Sequence, residues 1–337
     1  MPSAISENEA ALHEKDLFVN DGRLPTEYIG LIEPVTLDTP MEEIRRRYRE
    51  DGYVLVKGVL PRGDVLKARE KYFELLAPTG ILAPGTAPVE GVFNTAKDRR
   101  NFPGIGAGPD TIDDESRVTG PDPEAARSFG DLAIAAHNED WYKEDLCRHP
   151  ALKKFVAEMT GWGENTHGLT RTLLRNNVPK NKAIGVHYDQ IFLRHGDDNA
   201  VTAWVPMGDI KIEGGGLIYL EKGHDIGAAI ERDFADRAKA AGFSEEEMKH
   251  AYNKNMMAGG LLTEEPLAFA KEHGRRWLLT AYEAGDVIFH NAYAIHASTV
   301  NHDKDNVIRL GTDLRFVDKS GNWDTRWTEV FRYGDGL

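Results

Sequence analysis

The chain has 337 residues, 41% of them apolar, and a formal charge of −14, enough for one large domain or two ordinary ones with a full core. A chain this acidic, without a long basic run, lacks the positive surface that nucleic-acid binding draws on, and no apolar run approaches the roughly 18–20 residues of a membrane-spanning helix. Its single cysteine, Cys147, excludes an intrachain disulfide and fits a reducing compartment, so a cytoplasmic location is expected.

Residues 1–40 are polar and carry Pro25, Pro34 and Pro40; an extended arm is expected there, with residues 41–337 as a single domain. Its first residues show no basic-then-apolar leader pattern and its last three, DGL, are no peroxisomal address, so neither signal is expected. MEEIRRRYRED reads as a helix whose arginines pair with acids three and four residues away. YVLVKGVL, between Gly52 and Pro61, reads as a strand, and RGDVLKAREKYFELL as a second helix with Val65, Ala68, Tyr72 and Leu75 or Leu76 on one face. Residues 78–122 are rich in Gly, Pro, Asn and Asp, and a loop of that length is expected to act as a lid or binding segment. Helices return over 123–160.

Beyond that point LTRTLLRNNV, GVHYDQIFLR, NAVTAWVPMGD, GGLIYLEKG, GDVIFHNAYAIHAS and NVIRLGTDLRFVD form short strand-like runs punctuated by turns, with a helical insertion at about 225–275. That texture predicts a mainly β sandwich or barrel packed against an N-terminal helical layer.

Twelve histidines and 55 acids would place about two His-x-Asp/Glu triplets in such a chain by chance. It holds three, at His137-Asn138-Glu139, His187-Tyr188-Asp189 and His195-Gly196-Asp197. Residues i and i+2 share a face on a strand and diverge on a helix. The first triplet lies in a helical pattern and the third in a turn, which leaves His187 and Asp189, in a strand-like run, as candidate metal ligands. A third ligand is needed, and His290 and His296 are both available in GDVIFHNAYAIHAS. Two imidazoles and one carboxylate, with open positions beside them, form the ligand set of non-haem Fe(II) oxygenases. A structural zinc site would close its coordination, usually with cysteines this chain lacks.

The ordered set of H-x-D, a tryptophan strand, GGGLIYLEKGH, GDVIFHNAYAIHAS and an arginine strand resembles the phytanoyl-CoA dioxygenase family. The match runs from about Leu169 to Val317, with a weaker echo in DGYVLVKGVL. The resemblance implies a double-stranded β-helix (jelly-roll) core at about 169–317 and an oxygenase that uses Fe(II), 2-oxoglutarate and O2. It implies His187, Asp189 and His296 as metal ligands, the last preferred over His290 because Ser298 and Asn301 follow it in the family's H-x-S-x-x-N pattern. It further implies an arginine for the far carboxylate of 2-oxoglutarate, a planar and permanently charged partner. Arg309 and Arg315 both qualify by alternation; their separation of about 20 Å argues that only one reaches the pocket, and the family's spacing selects Arg309. Arg315 is then expected to pair with Asp313 or Asp318. Ser298, Trp204 and Thr172 match positions around the co-substrate, with an arginine of LTRTLLRNNV, Asn94 and Lys97 as weaker candidates. Asp189 stands where halogenating relatives have a small residue, so halogenation is not expected.

The similarity extends in texture to fungal members that tailor small natural products in secondary metabolism, with hydroxylation, desaturation or cyclisation as outcomes. The partners expected are a small-molecule substrate and a second copy of the chain, with neither nucleic acid nor membrane. Two rival readings keep the fold: a jelly-roll metal- or ligand-binding protein without oxygen activation, and a metal-dependent hydrolase.

Overall fold

A computed structural model describes residues 12–105, 120–244, 247–248, 261–330 and 332. Two β-sheets carry the architecture. The larger contains β4 (Tyr53–Val56), β10 (Val287–Asn291), β7 (Val201–Pro206), β12 (Arg309–Asp318) and β5 (Thr166–Gly168) in that order, with β6 (Leu173–Asn177) also paired to β12. The smaller runs β11 (His296–Ser298), β8 (Leu217–Leu220), β9 (Trp277–Leu279), β3 (Ile29–Leu31). A small hairpin joins β1 (Phe18–Val19) and β2 (Gly22–Arg23). Every strand pair is antiparallel except β3 with β9. The two sheets face each other as a jelly roll, as the strand-and-turn texture predicts. No helix among the described residues is long and apolar enough to cross a membrane.

The large sheet is buried on both faces, which is why its strands read as near-continuous apolar runs. Alternation still sorts them. Val201, Ala203 and Val205 of β7, Val287 and Phe289 of β10, and Leu310 and Leu314 of β12 pack into one cluster with residues of the helical layer. That layer comprises α1 (Met41–Asp51), α2 (Arg62–Leu76), α3 (Pro123–Ala135) and α4 (Pro150–Thr160). The residues between them on the same strands, including Trp204 and Ile288, pack on Leu217 and Tyr219 of β8. Because alternation is strict, Thr202, Trp204, His290, Arg309, Gly311, Asp313 and Arg315 all share the face toward the second sheet.

Several local expectations hold. Helix α1 ends where Gly52 adopts φ +80° and its N–H returns to the Tyr48 carbonyl, a left-handed cap that suits glycine. On α1, Arg46 pairs with Glu43 and Glu50, and Arg47 with Glu43. Asp122 caps α3 by accepting from Ala125 N at 3.1 Å.

Two expectations change. The described part of the N-terminal stretch is extended but not a separate arm: Leu17, Val19, Leu24, Ile29 and Ile32 are buried and β3 joins the smaller sheet. Sparse apolar residues between prolines were enough to dock it. Within 78–105 the chain is also packed, with Ile81, Phe93 and Phe102 in the core and Leu82 bridged to Phe93; residues 106–119 lie outside the described residues. The insertion contains α6 (Gly223–Ala240) and α7 (Pro266–His273), and residues 249–260 lie outside the described residues.

Candidate metal centre

His187 and His296 are direct cross-strand neighbours. Each backbone N–H donates to the other's carbonyl, at 3.0 and 2.9 Å, and their rings lie 4.1 Å apart. Their orientation is set identically. His187 Nδ1 lies 3.0 Å from the Gly185 carbonyl and His296 Nδ1 lies 2.9 Å from that of Ala294, in each case two residues back. A carbonyl can only accept, so Nδ1 carries the proton in both rings and Nε2 is left as a lone-pair donor, the arrangement that fixes metal-ligating histidines.

Asp189 arrives differently from the strand geometry expected of His-x-Asp. The chain is extended at His187 but turns at Asp189 (φ −71°, ψ −27°) into the short helix α5 (Gln190–Leu193). Gln190 N–H donates to the Ala292 carbonyl at 2.8 Å, tying that turn to the β10–β11 connection. The turn, not strand alternation, swings the carboxylate beside the imidazoles. Ligand atoms of His187, Asp189 and His296 lie within 4.8 Å of one another, and all three residues are buried.

The Asp189 carboxylate is held on several sides. Arg315 donates from Nε to Oδ2 and from Nη2 to Oδ1, both at 3.2 Å. Thr202 Oγ1 donates to Oδ2, and His290 Nε2 lies 3.3 Å from the same oxygen. Burial by itself would raise the carboxyl's pKa, but the Arg315 charge and the His290 contact outweigh it and hold it well below the usual carboxylate range. Burial pushes His187 down to about 4 and His296 well below its ordinary value. Neutral imidazoles and an ionised carboxylate are the protonation states a metal requires.

One sequence expectation is corrected here. Arg315 pairs with Asp189, not with Asp313 or Asp318. Of the two β12 arginines, Arg309 lines the cleft, as the spacing argument expects, while Arg315 lies behind Asp189. His290, the penultimate residue of β10 and outside the ligand group, is fully buried, contacts Asp189, and has Nδ1 2.9 Å from the Tyr219 hydroxyl. Its place follows from the β10–β7 register, which seats it opposite Thr202; single-strand reading carries no such signal.

Arg309 is buried, donates from Nε to the Gly215 carbonyl at 2.9 Å and from Nη2 to Ser298 Oγ at 3.0 Å. Burial lowers its pKa to about 10, still a cation at neutral pH. Trp204, 4.9 Å from Tyr282 edge to face, and Leu217 and Ile184 wall the cleft, whose charged groups besides the ligands are Arg175, Arg309 and Asp313. Gly311 makes room for that tryptophan: a Cβ there would lie 2.9 Å from the indole. Asn301 donates to the Asn177 and Val307 carbonyls, at 3.0 and 2.9 Å, and so fixes the loop leading into β12. Thr172 is placed elsewhere: its Oγ1 accepts from Tyr142 at 2.8 Å, in a buried network with Thr312, and it does not line the cleft. Asn94 and Lys97 are also away from it, Asn94 bonding the Gly80 carbonyl and Lys97 lying against Gly80. The arginine of LTRTLLRNNV that reaches the cleft is Arg175.

Comparison with known proteins yields a family match over residues 48–309, to phytanoyl-CoA dioxygenase (PhyH). No curated protein matches. Among solved structures, the non-heme alpha ketoglutarate dependent epimerase SnoN from nogalamycin biosynthesis is 18% identical, with a TM-score of 0.46 over 82% of either chain. The carbocyclase SnoK from the same biosynthesis is 17% identical, with a TM-score of 0.47 over 85% of this chain and 87% of that one. EctD from S. alaskensis with bound Fe is 12% identical, with a TM-score of 0.46 over 92% of this chain and 86% of that one. These likenesses assign no role to any residue of this chain.

Proposed function

We propose, from the premise that the chain belongs to the phytanoyl-CoA dioxygenase family, that it oxidises a small organic molecule, with hydroxylation as the default outcome. Membership makes it a non-haem iron, 2-oxoglutarate-dependent oxygenase. The donor set fits Fe(II): two imidazoles with Nε2 free and one ionised carboxylate, converging and buried. In this reading His187, Asp189 and His296 hold the metal. Bound iron, with 2-oxoglutarate and O2, supplies an oxidant able to attack an unactivated C–H bond.

The chain's own residues do the rest. Thr202, His290 and Arg315 fix the Asp189 carboxylate in one orientation. Arg309, steadied by Ser298 and Gly215, supplies the charge for the far carboxylate of 2-oxoglutarate; its Nη1 has no protein partner among the described residues. Trp204, Leu217 and Ile184 keep water from the reacting centre. A narrow cleft, in which Ile184, Trp204 and Leu217 stand among charged and ligand side chains, supports a small substrate, and the role in secondary metabolism rests on the sequence texture around the ligands.

The observation that carries this reading is the pair of cross-strand histidines with locked Nδ1 atoms and a buried Asp189 whose carboxylate lies within 4.8 Å of their ligand atoms. Anaerobic titration of the metal-free protein with Fe(II) and then 2-oxoglutarate tests it. The visible charge-transfer band of the chelate is expected for the wild type, at far higher co-substrate concentration for Arg309→Ala, and not at all for His187→Ala. Absence of the band from folded wild-type protein would move the reading to a metal-binding module, and turnover with Zn(II) without 2-oxoglutarate would move it to a hydrolase.

A further inference from the structure

The turn that swings Asp189 toward the two histidines is gripped from outside the cleft, by helix α6 of the insertion. Glu231, on α6, accepts three hydrogen bonds from residues on either side of Asp189. Tyr188 donates its hydroxyl to Oε2 at 2.7 Å, and Arg194 donates from Nε to Oε1 and from Nη2 to Oε2, both at 2.6 Å. Tyr188 stands between the ligands His187 and Asp189, and Arg194 closes the C-terminus of α5. One carboxylate therefore ties together the two ends of the turn that carries Asp189. The arginine contact is the two-pronged pairing that fixes direction as well as distance. Its side chains are 6% and 18% exposed, so solvent screens it little. Three residues further along α6, the Phe234 ring lies 4.8 Å from the same guanidinium, and Phe234 shares an apolar cluster with Tyr188 and Ile191.

That turn needs outside support. Helix α5 is only four residues long, and a single helical turn does not recover the entropy of fixing its own backbone. On one side Gln190 N–H is held by the Ala292 carbonyl; Glu231 supplies the other hold. The far end of the insertion touches the same segment: Val186 N–H donates to the Thr263 carbonyl at 2.8 Å and Leu262 N–H to the Val186 carbonyl at 2.7 Å, one residue before His187. The insertion thus meets the ligand-bearing segment at residues 186, 188 and 194, while Glu231, Tyr188 and Arg194 stay out of the cleft lining.

We propose that Glu231 is a positioning residue for the metal centre: through Tyr188 and Arg194 it sets the turn at Asp189, so that the insertion governs how tightly the three ligands hold a metal. Glu231 does not itself join the ligand group. The assignment rests on His187, Asp189 and His296 being the ligands, and is independent of what chemistry the bound metal performs.

The test is calorimetric titration of the full, chelator-treated chain with Mn(II), at neutral pH and at a temperature where every variant is folded by circular dichroism. Glu231→Ala is expected to weaken Mn(II) binding about tenfold, the lower end of what losing outer support of a metal ligand costs. Glu231→Gln, which keeps the shape and one acceptor oxygen, should restore part of that loss. A purely structural role would lower the melting temperature of the metal-free protein and leave the Mn(II) affinity of the folded variant at the wild-type value, and that result overturns the proposal. If neither Glu231 variant folds, Tyr188→Phe takes their place, since it removes one of the three bonds and keeps the ring in the core; a several-fold weaker affinity is expected, and an unchanged one overturns the proposal. A wild type that binds no Mn(II) sinks the ligand reading and this proposal with it. Wild-type binding that is lost in His187→Ala but unaltered in Glu231→Ala sinks this proposal alone.

Discussion

Arg315→Met separates the two cations that Asp189 can have. In the metal-free protein Arg315 is its principal countercharge, at 3.2 Å through two nitrogens, with both residues almost fully buried. Methionine fills similar space without charge and leaves a buried carboxylate with only Thr202 and His290 beside it. Breaking a buried ion pair from one side costs about 3–5 kcal/mol; the two remaining partners place the expected loss near the lower figure. For a chain of this length that is a fall in melting temperature of roughly 4 °C. A divalent metal bound by the same carboxylate replaces the missing charge, so the gap between variant and wild type should shrink when Mn(II) is added. Thermal melts with chelator and with Mn(II), at neutral pH, give all four values. If the metal-free variant melts with the wild type, or if Mn(II) leaves the gap unchanged, Arg315 is not the countercharge this reasoning makes it.

Other consequences follow from neighbouring residues. Gly311→Ala would force the Trp204 ring out of its seat; metal affinity should be retained while 2-oxoglutarate affinity falls several-fold, read from the same charge-transfer titration. His137 is buried, accepts from Leu174 N at 3.0 Å, and is pushed by burial from 6.5 to about 4. The unfolded chain therefore binds the proton first. The contribution of His137 is complete above pH 6.5 and is lost as pH falls toward about 4, amounting to about 3 kcal/mol; an NMR titration should place its midpoint near the lower value, and a midpoint near 6.5 would refute the assignment. Tyr142→Phe removes the hydroxyl shared by Thr172 and Thr312, at 2.8 and 2.7 Å, and should cost about 1–3 kcal/mol in denaturant unfolding with the charge-transfer band intact.

The sequence by itself determined which residues are metal ligands to be weighed, and much of the layering. Periodicity marks α1 and α2, turn residues bound the jelly-roll strands, and the order of H-x-D, tryptophan strand and distal histidine carries the family. Those are local features, written in residue types at short spacings. Tertiary structure alone decided how the ligands meet. His187 and Asp189 converge because the chain turns between them, and His187 faces His296 only through a pairing across more than 100 residues of chain. The environment of Asp189 was equally hidden. Arg315, Thr202 and His290 sit on three strands whose relative register no single strand encodes.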